Sequence, residues 1–180
     1  MSDRNGTFED GGPPPAGLRA RLRWGDPPGA LHDGPRRYLM MRADVLMGML
    51  RALPPEDRAR AADALARSVA EHGADSVRAY ARQAGGDPRA LLAATAAAAA
   101  DLGWGDWRFD ASPARLGLMV AGSPFAEGFG SSDAPVCAPI RGMLRAVAAA
   151  VAGADGEARE LRCRACGDPV CEFEATWPAR

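Results

Sequence analysis

Lysine is absent from this chain: its 22 basic residues are all arginine, set against 23 acids for a net charge of −1. Such a balance gives no electrostatic case for binding nucleic acid or an anionic membrane surface. No apolar run approaches the ~20 residues that a membrane span requires; the longest stretch of low polarity, residues 91–100, is mostly alanine. The opening Met1-Ser-Asp-Arg-Asn-Gly is polar and followed by acids, so it does not read as a secretory signal, and the expected compartment is the cytoplasm. There is no G-x-G-x-x-G after a strand, no P-loop and no G-x-S-x-G, which excludes the common nucleotide folds and the hydrolase elbow and leaves no catalytic residue to assign. Cysteine, too, is missing from the first 136 positions.

What is present points to one domain. At 180 residues, 47% hydrophobic and 25% charged, the chain has the composition of a soluble globular protein with a single core. Residues 1–35 are rich in glycine and proline and read as a flexible N-terminal arm, with a short strand expected near residues 18–24. Residues 36–178 read as the folded domain. Helical periodicity covers residues 36–53, then Pro55-Glu56-Asp57 opens a second helix expected to break at Gly73. Asp87-Pro88 is a cap followed by a first-turn proline, opening an alanine-rich helix that Gly103 closes.

After Gly103 the period changes to two. Trp107 and Phe109 alternate with acids and arginine, and Leu116, Leu118 and Val120 form a second strand. Residues 123–132 read as a Gly/Ser-rich loop. Asp133-Ala134-Pro135 restarts helix, with Cys137, Ile140, Leu144 and Val147 on its apolar stripe. Residues 159–165 and 171–177 then read as a hairpin. The expected class is α+β: helices packed on an antiparallel sheet of about four strands, the C-terminal hairpin stapled by a metal ion.

Four cysteines carry the chemistry. Cys163-x2-Cys166-x4-Cys171 is compact, and Cys137 opens a helix whose positive end favours thiolate. In a reducing compartment such bunching reads as metal ligation before disulfide. Three thiolates and one further ligand would hold zinc in a closed tetrahedron, a structural Zn2+ rather than a catalytic one. The local reading of the fourth ligand favours Cys166, since C-x2-C is a knuckle spacing. Strand alternation puts Glu160 on the face opposite Cys163, so Glu160 joins only if a bulge intervenes.

The segment from Arg115 onward resembles the 4-vinyl reductase domain family, and less specifically so does the chain from Arg36. The matching residues are Ser123-Pro124-Phe125, Pro135-Val136-Cys137, Gly142, Glu160-x-x-Cys163-x-x-x-Gly167-x-x-x-Cys171-x-Phe173, and Gly103-Trp104-Gly105. That family includes bacteriochlorophyll 4-vinyl reductase-type proteins, hydrocarbon-binding proteins and sensor domains of aromatic-responsive activators, and shares its fold with TRAPP subunits. The resemblance implies zinc on Cys137, Glu160, Cys163 and Cys171, with Cys166 as the alternative to Glu160. It also implies a homodimer that binds a hydrophobic or aromatic small molecule; because the sequence shows no DNA-binding or ATPase segment, the output is expected to pass to a downstream regulatory protein. The other function it implies is an accessory or reductase role in (bacterio)chlorophyll vinyl-group metabolism. For the ligand pocket the candidates are the adaptable methionines Met40, Met41 and Met47, the aromatic residues Trp104, Trp107 and Phe109, and Phe125 and Phe129 in the Gly-flanked loop. His32 and His72 read as solvated or capping residues.

Overall fold

The computed structural model describes residues 17–25 and 28–177. In chain order it contains α1 (Leu18–Arg21), β1 (Arg23–Gly25), β2 (Ala30–Asp33), β3 (Arg36–Tyr38), α2 (Ala43–Ala52), α3 (Pro55–Gln83) and α4 (Pro88–Asp101), then β4 (Asp106–Ser112), β5 (Arg115–Ala121), α5 (Pro124–Phe129), α6 (Ala138–Ala152), β6 (Glu157–Arg162) and β7 (Cys171–Thr176). The class is α+β as expected. The main sheet is antiparallel in the order β4-β5-β7-β6, and a small sheet β1-β2-β3 precedes it.

The main sheet has one dry face. Register places Trp107 beside Val120, Phe109 beside Leu118, and Leu118 beside Phe173, so the alternate residues of three strands converge. Trp107, Leu116, Leu118, Val120, Phe173 and Ala175 are buried, while Met119, Glu172 and Glu174 lie on the other side. Ile140, Leu144 and Val147, one stripe of α6, are fully buried in the same core. Glycine makes the helix packing close. A Cβ at Gly142 would stand only 2.2 Å from the carbonyl oxygen of Ala66 in α3.

Several elements depart from the sequence expectations. α3 runs unbroken through Gly73, because one glycine costs a helix only about 1 kcal/mol and Met143 of α6 fills the space beside it. The helix expected over residues 36–53 begins only at Ala43: residues 36–38 pair with β2 instead, Leu31 opposite Tyr38. Backbone pairing to a strand outweighs the helical spacing there. Residues 123–132 are not all loop, since Ser123 caps α5 by accepting from the Ala126 N–H at 3.4 Å, with Pro124 in its first turn. α6 starts at Ala138 rather than at Asp133.

The expected arm, residues 1–35, lies partly outside the described residues. Within them, residues 18–33 hold α1, β1 and β2, so the boundary drawn at residue 35 falls inside the β2–β3 hairpin. Arg21 holds this hairpin with a two-pronged ion pair to Asp33 at 3.1 and 3.3 Å. The Asp101 carboxylate, at the end of α4, accepts from the Arg19 backbone N–H at 3.0 Å and anchors α1.

α2 has its own anchor. The Arg58 guanidinium donates to the carbonyl oxygens of Leu50, Arg51 and Leu53 at 3.0–3.2 Å, closing the C-terminal end of the helix, and lies 5.5 Å from the centre of the Phe129 ring.

Candidate metal centre and ligand cavity

Cys137, Glu160, Cys163 and Cys171 each offer a donor atom, all within 4.8 Å of one another. The fold brings them together from three elements. Cys137 is the residue immediately before α6, and its carbonyl accepts from the N–H groups of Ile140 and Arg141 in the first turn. Cys171 starts β7 on the dry face. Cys163 follows β6, where a tight turn through Arg164–Cys166 and left-handed Gly167 folds the chain back. Asp168 clamps that turn, its carboxylate accepting from the Cys163 N–H at 2.9 Å.

Glu160 enters by the bulge that alternation demanded. Glu160 pairs with Phe173 and therefore lies on the dry face, while Arg162 pairs with Glu172 after a register shift. The extra residue, Leu161, is 55% exposed. One inserted position thus puts residues 160 and 163 on the same side. Cys166, the alternative ligand, is exposed and stands outside the cluster.

The cluster is shaped for a cation. Cys137 Sγ lies 3.9 Å from Cys163 Sγ and 3.8 Å from Cys171 Sγ. That is far beyond the ~2.05 Å of a disulfide, and close to the ~3.8 Å edge of a tetrahedron with metal–sulfur bonds of ~2.3 Å. All three thiols are fully buried. One oxygen of Glu160 accepts from the Cys137 N–H at 2.8 Å, and the other, Oε1, is buried with no hydrogen-bond partner among the described residues. A dry, unpaired carboxylate oxygen beside three thiols is costly unless a positive charge joins it.

The acid–base behaviour of the four donors has the same cause. The Cys163 and Cys171 thiols, together with burial, push Cys137 well above the ordinary thiol range. Hydrogen bonds from Cys137 and Cys163 pull Cys171 down to about 4. Burial, and then the neighbouring Cys163, push Glu160 up to about 8. Four groups that each bind metal as anions are crowded where few anions are tolerated. The donor set fits a divalent ion. Ser123 and Arg164 complete the surroundings: Ser123 Oγ is 3.2 Å from Cys137 Sγ, and the Arg164 N–H donates to Cys171 Sγ at 3.4 Å.

A cavity of about 500 Å³ lies between α3, α4 and the small sheet, with Met143 of α6, Trp104 and Trp107 on its walls. The aromatic residues interlock. Trp104 meets Phe125 edge-on with ring centres 5.1 Å apart, Trp107 meets Phe109 at 5.9 Å, and the Trp107 indole N–H donates to the Trp104 carbonyl at 3.1 Å. Tyr38, His72 and Tyr80 add polar groups to its lining, as do Arg36, Arg37 and Asp75. Burial, then the Asp33 carboxylate, push the Tyr38 hydroxyl upward.

The candidate pocket residues do not all meet here. Trp104 and Trp107 line the cavity; Phe109 stands behind Trp107. Met40, Met41 and Phe125 line a neighbouring cleft, while Met47 and Phe129 belong to the core and to a groove on the other side of α2. Tyr38, His72, Tyr80 and Met143 were not anticipated. Val69, His72, Ser76, Val77 and Tyr80 do form a helical stripe, one that the expected break at Gly73 hid.

These features define a class: an α+β domain with a cluster of three thiols and a carboxylate at one helix start, and an aromatic-walled cavity. Residues 118–176, from within β5 through β7 and including all four donors of the cluster, match the model of the V4R domain. No curated protein sequence matches the chain. Among solved structures, the phenol-responsive sensory domain of the transcription activator PoxR, crystallised with phenol, superimposes with a TM-score of 0.74 at 20% identity, covering 88% of this chain and 86% of that one. A trafficking protein particle complex subunit 3 from Naegleria fowleri, covalently bound to palmitic acid, gives 0.51 at 12% identity over 74% and 93%. A vinyl-4-reductase family protein from Methanocaldococcus jannaschii gives 0.45 at 14% identity over 77% and 96%. At such identities the likeness is one of fold. No helix among the described residues is long and apolar enough to cross a membrane.

Proposed function

We propose that this chain is a zinc-stabilised small-molecule-binding domain that senses or carries an apolar or aromatic ligand. The observation that carries the reading is the cavity of about 500 Å³, walled by Val77, Leu102, Trp104 and Trp107, with Tyr38, His72 and Tyr80 among the polar groups of a lining that also includes Arg36, Arg37 and Asp75. Apolar walls with a few polar groups are what a small-molecule site requires. The V4R match and the shared fold with a sensory domain crystallised with phenol support the same reading. Zinc suits three thiolates and one carboxylate in a closed tetrahedron, and four protein ligands leave no position for an activated water. The ion therefore stabilises rather than catalyses.

We read the chain as a cytoplasmic homodimer, with Val45 and Met49 on the outward side of α2 as the surface for the second copy. These two are 57% and 56% exposed, although Met47 and Leu50 on the other side of the helix are already buried, and large apolar side chains left in water mark a surface for a partner. The response to the ligand passes to a downstream regulatory protein.

One experiment tests the whole reading: native mass spectrometry of the purified chain, before and after chelation, joined to thermal unfolding with and without phenol. The expected result is one zinc per chain, two chains per particle, and a melting temperature that rises with phenol concentration. A co-purified tetrapyrrole and no response to phenol would favour the vinyl-reductase role and refute this one.

A further inference from the structure

Between α3, α6 and β6 opens a cleft of about 450 Å³ that shares no lining residue with the aromatic cavity. Four arginines line it: Arg67 of α3, Arg141 and Arg145 one turn apart on α6, and Arg159 of β6. Only two acids join them, and both are engaged. Asp63 is paired with Arg141 at 2.6 Å, and Glu157 with Arg159 at 3.0 Å. Arg67 and Arg145 have no carboxylate partner among the described residues; Glu71 and Asp155, which line a further cleft that these two arginines also border, pair with neither. The chain as a whole carries −1, yet this cleft holds an excess of two positive charges.

Like charges gathered in a concavity repel one another until an anion joins them. The guanidiniums belong to three elements rather than to one. A phosphoryl group, with three acceptor oxygens and a charge of about −1.5 to −2, can engage several of them and matches the excess. A planar carboxylate fills a single fork and supplies half the charge. The rest of the lining is Ala66, Gly142, Gly156 and Ala158. These leave room beyond one phosphate, clefts of ~300–1,000 Å³ being sized for whole small molecules. No aromatic ring lines the cleft to stack on a nucleotide base. The Asp63 and Glu157 carboxylates keep lone pairs free to accept from hydroxyl groups.

We infer that this cleft is a second ligand site, taking the phosphate monoester of a sugar or polyol. Arg67 and Arg145 hold the phosphoryl group with Arg141 and Arg159 beside them, and Asp63 and Glu157 accept from the hydroxyls.

Isothermal titration of the full chain with glucose 6-phosphate, inorganic phosphate and glucose tests this. Glucose 6-phosphate is expected to bind tightest, inorganic phosphate more weakly, and glucose not at all. Arg67→Gln and Arg145→Gln should each weaken the Kd for glucose 6-phosphate about tenfold, the loss of one charge-assisted contact. The melting temperature of the ligand-free protein should not change in either, because neither side chain is bonded. Arg89→Gln, at the exposed start of α4, is the control and should bind as the parent chain does. Absence of binding by both phosphates overturns the inference, as does binding that Arg67→Gln and Arg145→Gln leave intact or that Arg89→Gln weakens equally. Inorganic phosphate binding as tightly as the ester overturns the assignment to a sugar or polyol.

Discussion

Gly142→Ala adds a single methyl group to α6 at its closest approach to α3. The new Cβ would lie 2.2 Å from the Ala66 carbonyl oxygen and 3.0 Å from the carbonyl carbon and Cα of the same residue. Carbon–oxygen contacts settle at about 3.3 Å or more, so the two helices must part by about 1 Å. The obstruction is backbone, and no rotamer relieves it. Overpacking of this kind costs about 1–3 kcal/mol, and an unyielding helix pair belongs at the upper end. Against that, alanine gains up to about 1 kcal/mol over glycine in a helix. The net loss is about 2 kcal/mol, which lowers the melting temperature by about 4–8 °C for a chain of this length. Gly48→Ala in α2 is the control, because nothing lies within 4 Å of its added Cβ. There only the propensity gain acts, and the melting temperature should rise by about 1–4 °C. Thermal unfolding followed by circular dichroism reads both. A Gly142→Ala protein as stable as Gly48→Ala would refute the argument that glycine sets the spacing of α3 and α6.

Two further outcomes follow from the anchors already described. Cys163→Ala and Cys171→Ala should each lose the bound metal in elemental analysis, whereas Cys166→Ala, whose thiol is exposed and outside the cluster, should retain it; metal lost only in the last variant would restore Cys166 as the fourth ligand. Arg58→Ala removes three hydrogen bonds from the end of α2 and a ring contact with Phe129, and should cost about 2 kcal/mol in a denaturant titration, since a charged donor contributes about 1.5–3 kcal/mol.

The cluster of metal-type donors was legible because those donors are chemically rare in this chain. Three thiols and a carboxylate have few uses when packed together, and family resemblance picked Glu160 over Cys166. Strand alternation argued the other way, since one inserted residue, Leu161, reverses every side that follows it. Such a bulge leaves no mark in composition. The cavity was half legible. Trp104 and Trp107 announced themselves by size, while Tyr38, His72 and Tyr80 did not, because their placing depends on α3 passing straight through Gly73 and on β3 pairing where helical spacing was expected. Both outcomes are set by distant partners, Met143 and Leu31, which local periodicity does not see. Ser123 was read as part of a loop, yet it both caps α5 and touches Cys137.

One helix serves two masters. α6 leaves the thiolate cluster at Cys137 and presents Met143 to the aromatic cavity six residues on, a distance of about 9 Å at 1.5 Å per residue. Over so short a rod the backbone acts as a stiff lever. A shift at its root would carry to the far wall, so an ion held by residue 137 would also steady the side chain of Met143.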